Sequence, residues 1–182
     1  MLMYLPLPSS TAAASRRRDA FQLLLESHGR IRFFIERAVR VARLSDIPAG
    51  EREEAITRVE RYFTVGLPLH EEEELLLAHR LRAARPSTRS LDALEWMSRQ
   101  HRDIEALLES LLPRWRLLRE SPERHAELAT ELMRDTLRFA DLMEAHLRLE
   151  ECVIFPEART VLSVASVTAL GTEMRTRRGL RP

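Results

Sequence analysis

Six histidines are spread along the 182 residues, and four of them, His28, His70, His101 and His146, stand in otherwise apolar stripes. Two are followed one helical turn later by a carboxylate, in His70-x-x-x-Glu74 and His146-x-x-x-Glu150. At about 100° per residue, groups four apart on a helix lie about 40° from one another, so each imidazole and its glutamate can reach a common metal ion. Nitrogen and carboxylate donors without thiolate suit non-haem iron, or manganese, better than copper or a structural zinc. Divalent cations would also offset two buried glutamate charges that are otherwise costly.

Such a site needs elements that bring four distant histidines to one place. Apolar residues at helical spacing recur in four long blocks, separated by short segments bearing proline, glycine, serine and aspartate. The first is read from about Arg16 to Leu44, with Ser15 as a candidate N-cap, and the second from about Glu51 to Ala84 with a kink at Gly66 and Pro68. The third covers about Thr88 to Glu120, with Pro113 as a point of bending, and the fourth about Pro122 to Phe155, where Pro156 ends or kinks it. A short fifth helix fits Glu157 to Met174, ahead of an Arg-rich end. Short connections make successive helices antiparallel, so the expected fold is all-α, an up-down-up-down four-helix bundle with a short C-terminal helix or tail. Its parts are a disordered arm over residues 1–15, the bundle over 16–156, and the terminal helix and tail over 157–182.

Each helix buries one histidine. His28 shares its face with Phe21, Leu24, Leu25, Ile31 and Ile35, and His70 with Phe63, Leu67, Leu77 and Leu81. His101 stands with Leu94, Met97, Ile104, Leu108 and Trp115, and His146 with Phe139, Leu142, Met143 and Val153. Counted from the turns, the four heights differ by less than about 8 Å at 1.5 Å per residue, which puts the imidazoles in one layer. The second and fourth helices run parallel, so Glu74 and Glu150 are displaced from that layer in the same direction. They can converge to bridge two metal ions, with the imidazoles as terminal ligands.

At these residues the sequence resembles the hemerythrin-like (HHE cation-binding) family. The resemblance covers about Ala20 to Pro156 and includes the run Glu150-Glu151-Cys152-Val153-Ile154-Phe155-Pro156, similar to the family's helix-ending pattern. It implies an antiparallel bundle holding two iron ions, Fe2+ or Fe3+, with an oxo or hydroxo bridge that meets dioxygen, nitric oxide or peroxide. Oxygen-carrying members have a fifth histidine one turn after the one on the third helix, where this chain has Glu105. The departure argues against reversible oxygen carriage, and Glu105 would add an oxygen ligand or proton acceptor, or leave one iron open to solvent. Those members also use a carboxylate at the position of Glu151. Ideal geometry prefers Glu150, since Glu151 lies about 140° from His146 against about 40° for Glu150.

Other residues read more plainly. Glu71 and Glu72 lie on a solvated face, and Glu73 is an outside candidate for the metal. His79 points away from His70, and His125 is about 31 Å along the axis from His146, so neither is expected as a ligand. Cys152 reads as a small buried filler, and the stretch from Arg175 to Arg181 as a solvated tail.

Composition agrees with helices: 45% apolar and 31% charged residues come with only five glycines, two tyrosines and two tryptophans. Twenty-nine basic residues, all arginine, against 28 acidic ones leave a charge of +1, so no global field attracts nucleic acid or a membrane surface. One cysteine excludes an internal disulfide and a Cys-rich zinc site, and fits a reducing, cytoplasmic setting. No apolar run approaches a membrane span, and the prolines at Pro6 and Pro8 make a poor secretory signal. The leading expectation is a cytoplasmic diiron protein that binds or senses dioxygen or nitric oxide. Alternatives are a diiron redox enzyme or iron-delivery protein in stress protection, and a metal-free helical interaction module. No positioned acid, nucleophile or organic-cofactor motif favours turnover.

Overall fold

The computed structural model of the chain describes residues 19–44 and 46–180, and these are all-helical, with no strand. The arm and the candidate cap Ser15 lie outside the described residues. Helix α1 (Ala20–Arg43) is set by Asp19, whose side chain accepts from the Gln22 N–H at 2.7 Å while Gln22 Oε1 accepts from the Asp19 N–H at 2.9 Å. This reciprocal capping satisfies two donors that the first turn would otherwise leave open. The chain then turns through Leu44, at φ 45°, a strained conformation held by burial of its side chain in the core.

The second block is one rod made of α2 (Arg52–Arg61), a π-helical turn (Tyr62–Gly66) and α3 (Leu67–Ala83). Helix α4 (Thr88–Glu120) follows a Ser87 cap and continues through Pro113, which faces solvent. The last long rod joins α5 (His125–Leu149), a second π-helical turn (Glu150–Ile154) and α6 (Phe155–Val161). Pro156 therefore neither ends this rod nor leaves the fifth helix where the sequence put it. Residues 157–161 belong to α6, and the separate helix is α7 (Val164–Arg177), capped by Ser163.

Both π turns sit just before a proline, in Leu67-Pro68 and Phe155-Pro156. Proline has no N–H for the carbonyl four residues back, here those of Thr64 and Cys152, and its ring crowds that carbonyl. The helix widens instead, Leu67 N–H donating to the Tyr62 carbonyl and Phe155 N–H to that of Glu150. Gly66 has a further reason to be glycine, because a Cβ there would lie 2.8 Å from the Tyr62 ring. That ring is stacked on Phe34 at a centroid distance of 4.0 Å.

The apolar core is in two parts. One gathers Ile31 to Val41 of α1, Phe63 and Leu67, Ile104 to Leu118 of α4, and Phe139, Met143 and Leu147 of α5. The other gathers Ala20 to Leu24, Leu77 and Leu81, Leu94 and Met97, Ile154 and Phe155, and Leu170 and Met174 of α7. On every long rod a histidine or glutamate singled out in the sequence lies at the passage from one part to the other: His28 between Leu24 and Ile31, His70 and Glu74 between Leu67 and Leu77, His101 between Met97 and Ile104, and Glu150 between Leu147 and Ile154. A polar layer thus divides the core.

Helix α7 packs on α1 and α3. The turn behind it sends Arg178 inward, where Nε donates to Glu73 Oε1 at 2.7 Å and Nη2 to the Leu23 carbonyl at 3.1 Å and Ser27 Oγ at 2.9 Å. The expectation of a solvated tail is overturned at this residue, whose side chain is 9% exposed against a fully buried Glu73. Among the described residues no helix is long and apolar enough to cross a membrane.

Candidate metal centre

Four helical rods each deliver one imidazole to the polar layer, with Nε2 turned inward. Glu74 and Glu150 stand among them. Glu74 Oε1 is 2.5 Å from His70 Nε2 and 3.5 Å from His146 Nε2, and its Oε2 is 2.9 Å from His101 Nε2. Glu150 Oε2 is 3.1 Å from His28 Nε2, and its Oε1 is 3.2 Å from His146 Nε2. The donor atoms form two groups, His28, His70, Glu74 and Glu150, and Glu74, His101, His146 and Glu150, each within 4.8 Å. Both carboxylates belong to both groups, and either group could hold a metal ion.

The unsatisfied atoms fit that reading. Both nitrogens of His70, Glu74 Oε1 and Glu150 Oε1 are buried and make no hydrogen bond. His70 and Glu74 approach closely without hydrogen-bond alignment, as ligands of a shared cation do. A core that used these histidines only as hydrogen-bonding residues would leave four polar atoms at a cost of about 1–3 kcal/mol each.

The outer nitrogens prepare the inner ones. His28 Nδ1 donates to Glu151 Oε1 at 2.7 Å, and Arg32 holds that carboxylate, its Nη1 2.9 Å from Oε1, while donating to Glu144 as well. His146 Nδ1 donates to Gln100 Oε1 at 3.3 Å. A proton fixed on Nδ1 leaves the Nε2 lone pair free for a metal. Phe155 stacks on the His28 ring at 5.3 Å.

Without a cation the layer holds protons. Burial would lower His146, but Glu150 and Glu74 outweigh it and push it up to about 10. His70 is likewise raised against its burial, by Glu74 and then Glu150. Burial would raise Glu74, yet His70, His101 and His146 hold it well below the usual carboxylate range. The Glu71 carboxyl is raised by burial, against the pull of His101.

No protein-family model, curated protein or solved structure matches the chain.

The structure brings together His28, His70, Glu74, His101, His146 and Glu150, and separates the other candidates from them. Glu105 is exposed and belongs to neither group. Glu151 serves the far nitrogen of His28 and is likewise outside both groups. Glu73 turns away to Arg178, and Glu72 accepts from Arg177 at the surface. Glu71 is half-buried beside His101, so it is not the solvated residue expected. His79 is exposed, and His125 Nε2 donates to the Ala42 carbonyl at 3.0 Å. Cys152, read as a buried filler, is exposed, because the π turn carries Ile154 and Phe155 inward in its place. Sequence reasoning missed Gln100 and the Arg32 clamp. The i,i+4 spacing of His28 and Arg32 was a usable signal, whereas nothing local distinguishes Gln100 from a surface glutamine.

Proposed function

We propose that this protein is a hemerythrin-like diiron protein that binds or senses dioxygen or nitric oxide from within an up-down-up-down four-helix bundle. The observation that carries the reading is the double membership of Glu74 and Glu150, each shared between two groups of ligand atoms. Two imidazoles and two shared carboxylates per position suit iron, with manganese as the nearest substitute. The topology is supported by the rods, which pass between the two halves of the core in alternating order: α1 and α4 in one sense, α3 and α5 in the other.

When bound, a pair of iron ions supplies electrons and open positions to a small oxidant such as dioxygen, nitric oxide or peroxide. The chain does the rest. Glu74 and Glu150 balance the cationic charge, and Glu151 and Gln100 keep two imidazoles in the ligating tautomer. The apolar halves above and below exclude water, which strengthens every charge interaction between them. Access is unequal: His28 and His70 are buried, whereas the His101 side chain is 17% exposed. A small molecule therefore arrives beside His101, past the half-buried Glu71. The proposed setting is the cytoplasm, whose reducing poise suits one exposed thiol.

The test is the optical spectrum of protein loaded with iron without air, recorded before and after dioxygen and nitric oxide. New absorption bands with either gas support the reading. A spectrum that neither gas changes, at full iron content, contradicts it.

A further inference from the structure

The two ligand groups have the same composition, two imidazoles and the two shared carboxylates, but different surroundings. The side chains of His28, His70, Glu74 and Glu150 are at most 2% exposed, whereas His101, in the other group, is 17% exposed. A cavity of about 420 Å³ reaches the His70 ring from the side of α7, but it does not open the first group, because both ring nitrogens are buried. The outer nitrogens differ as well. His28 Nδ1 donates to the carboxylate of Glu151, and His146 Nδ1 to the neutral amide of Gln100. The Nδ1 of His70 has no partner, so the contrast between the groups rests on His28. A carboxylate acceptor makes an imidazole a stronger donor to a metal than an amide does.

We propose that the His28–His70 position keeps a resident divalent cation while the His101–His146 position exchanges its own, so that the chain carries iron in the first and either iron or manganese in the second. The inference rests on the two-metal reading above and says which position is which. Charge makes the binding stepwise. Glu74 and Glu150 supply two negative charges to both groups, and one divalent ion neutralises them. A second ion brings two more positive charges into a buried layer and meets the repulsion of the first, undamped by water. The first ion therefore settles where the donors are stronger and closed to solvent, beside His28. The second is left with the weaker donor pair and the exposed edge of His101, where a competing ligand from solvent reaches it.

The experiment uses protein loaded with ferrous iron without air, its iron content measured first. Both ions stay bound in buffer alone. A coloured ferrous chelator in excess should withdraw one iron per chain about 10- to 100-fold faster than the other, the scale of one outer hydrogen-bond partner. Manganese(II) added to the one-iron protein, once the chelator is removed, should refill the vacated position without displacing iron, which a given set of donors binds more tightly. Anomalous scattering at the two metal edges, from crystals of that protein, should place iron at His28 and His70 and manganese at His101 and His146. Glu151→Gln should speed mainly the slow phase, and Gln100→Glu should slow mainly the fast one, a contrast that general loosening of the fold would not produce. Two irons that leave in a single phase, metals mixed over both positions, or iron retained beside His101 overturn this inference alone, as do variants that both act on the same phase. A chain that takes up no iron overturns the metal reading and this inference with it.

Discussion

Glu150 and Glu151 are neighbours in sequence and grip opposite nitrogens of one imidazole, Glu150 Oε2 lying 3.1 Å from His28 Nε2 and Glu151 Oε1 2.7 Å from His28 Nδ1. One is buried among the ligand groups and the other half-exposed against Arg32. The two carboxylates therefore differ in kind, and the one that helical spacing prefers as the partner of His146, Glu150, is the one that stands in both groups.

Glu150→Ala should accordingly empty both metal positions, because its carboxylate is common to both. Glu151→Gln should retain two metals and bind them about 10- to 100-fold more weakly, the usual effect of removing an outer hydrogen-bond partner. Elemental analysis and competition with a chelator separate the two outcomes. Equal loss in both variants would make Glu151 a ligand.

Gln100→Leu should leave His146 Nδ1 without its acceptor and lower metal affinity by about 10- to 100-fold, through the position shared by His101 and His146. Gln100→Glu should restore tight binding. Chelator competition on the three proteins checks the order.

Glu105 is exposed and apart from the ligand groups, so Glu105→Ala should keep both metals and the optical spectrum of the unsubstituted protein. A changed spectrum at full metal content would return Glu105 to the site.

The metal-free protein should be stabilised by its own protons. His146, raised to about 10, contributes stability that is complete below its ordinary 6.5 and lost as the pH climbs through about 10. Glu74, lowered, contributes above its ordinary 4.5 and loses that contribution as the pH falls through its depressed value. Urea midpoints should thus be highest between pH 4.5 and 6.5 and decline toward pH 10. Metal loading should flatten the alkaline decline, since ligation takes unprotonated imidazoles. A metal-free protein that gains stability from pH 6.5 to 9 would contradict this balance.

Arg178→Ala should destabilise the fold by about 3–5 kcal/mol, because Glu73 would be left buried without its counter-charge. Arg177→Ala, which removes only an exposed pair with Glu72, should cost less than about 1 kcal/mol. Urea denaturation of the two variants measures the contrast.

Much of the fold is legible because its signals are local. Ser87 and Ser121 bracket α4, and the periodicity between them reads Thr88–Glu120 to the residue. The grouping of the six residues is legible because i,i+4 pairs inside apolar stripes survive any small error in helix packing. What escapes is less local. An ideal helix extrapolated past His146 misses the π turn, and so buries Cys152 and puts Val153 on the core face, when Ile154 and Phe155 fill it. Leu25 was read into the stripe of His28 and is 42% exposed, since that stripe is narrower than assumed. Arg178 meets Glu73 across 105 residues, and no local pattern announces such a pair.

The account stands most directly on the number of metals per chain. Protein reconstituted with ferrous iron without air, freed of loosely held metal and measured by elemental analysis with Mössbauer spectroscopy, should hold two irons per chain. Once oxidised, those irons should be magnetically coupled, and Glu74→Ala and Glu150→Ala should each abolish the coupling. One uncoupled iron per chain, or a single zinc and no iron after loading with either metal, would contradict it.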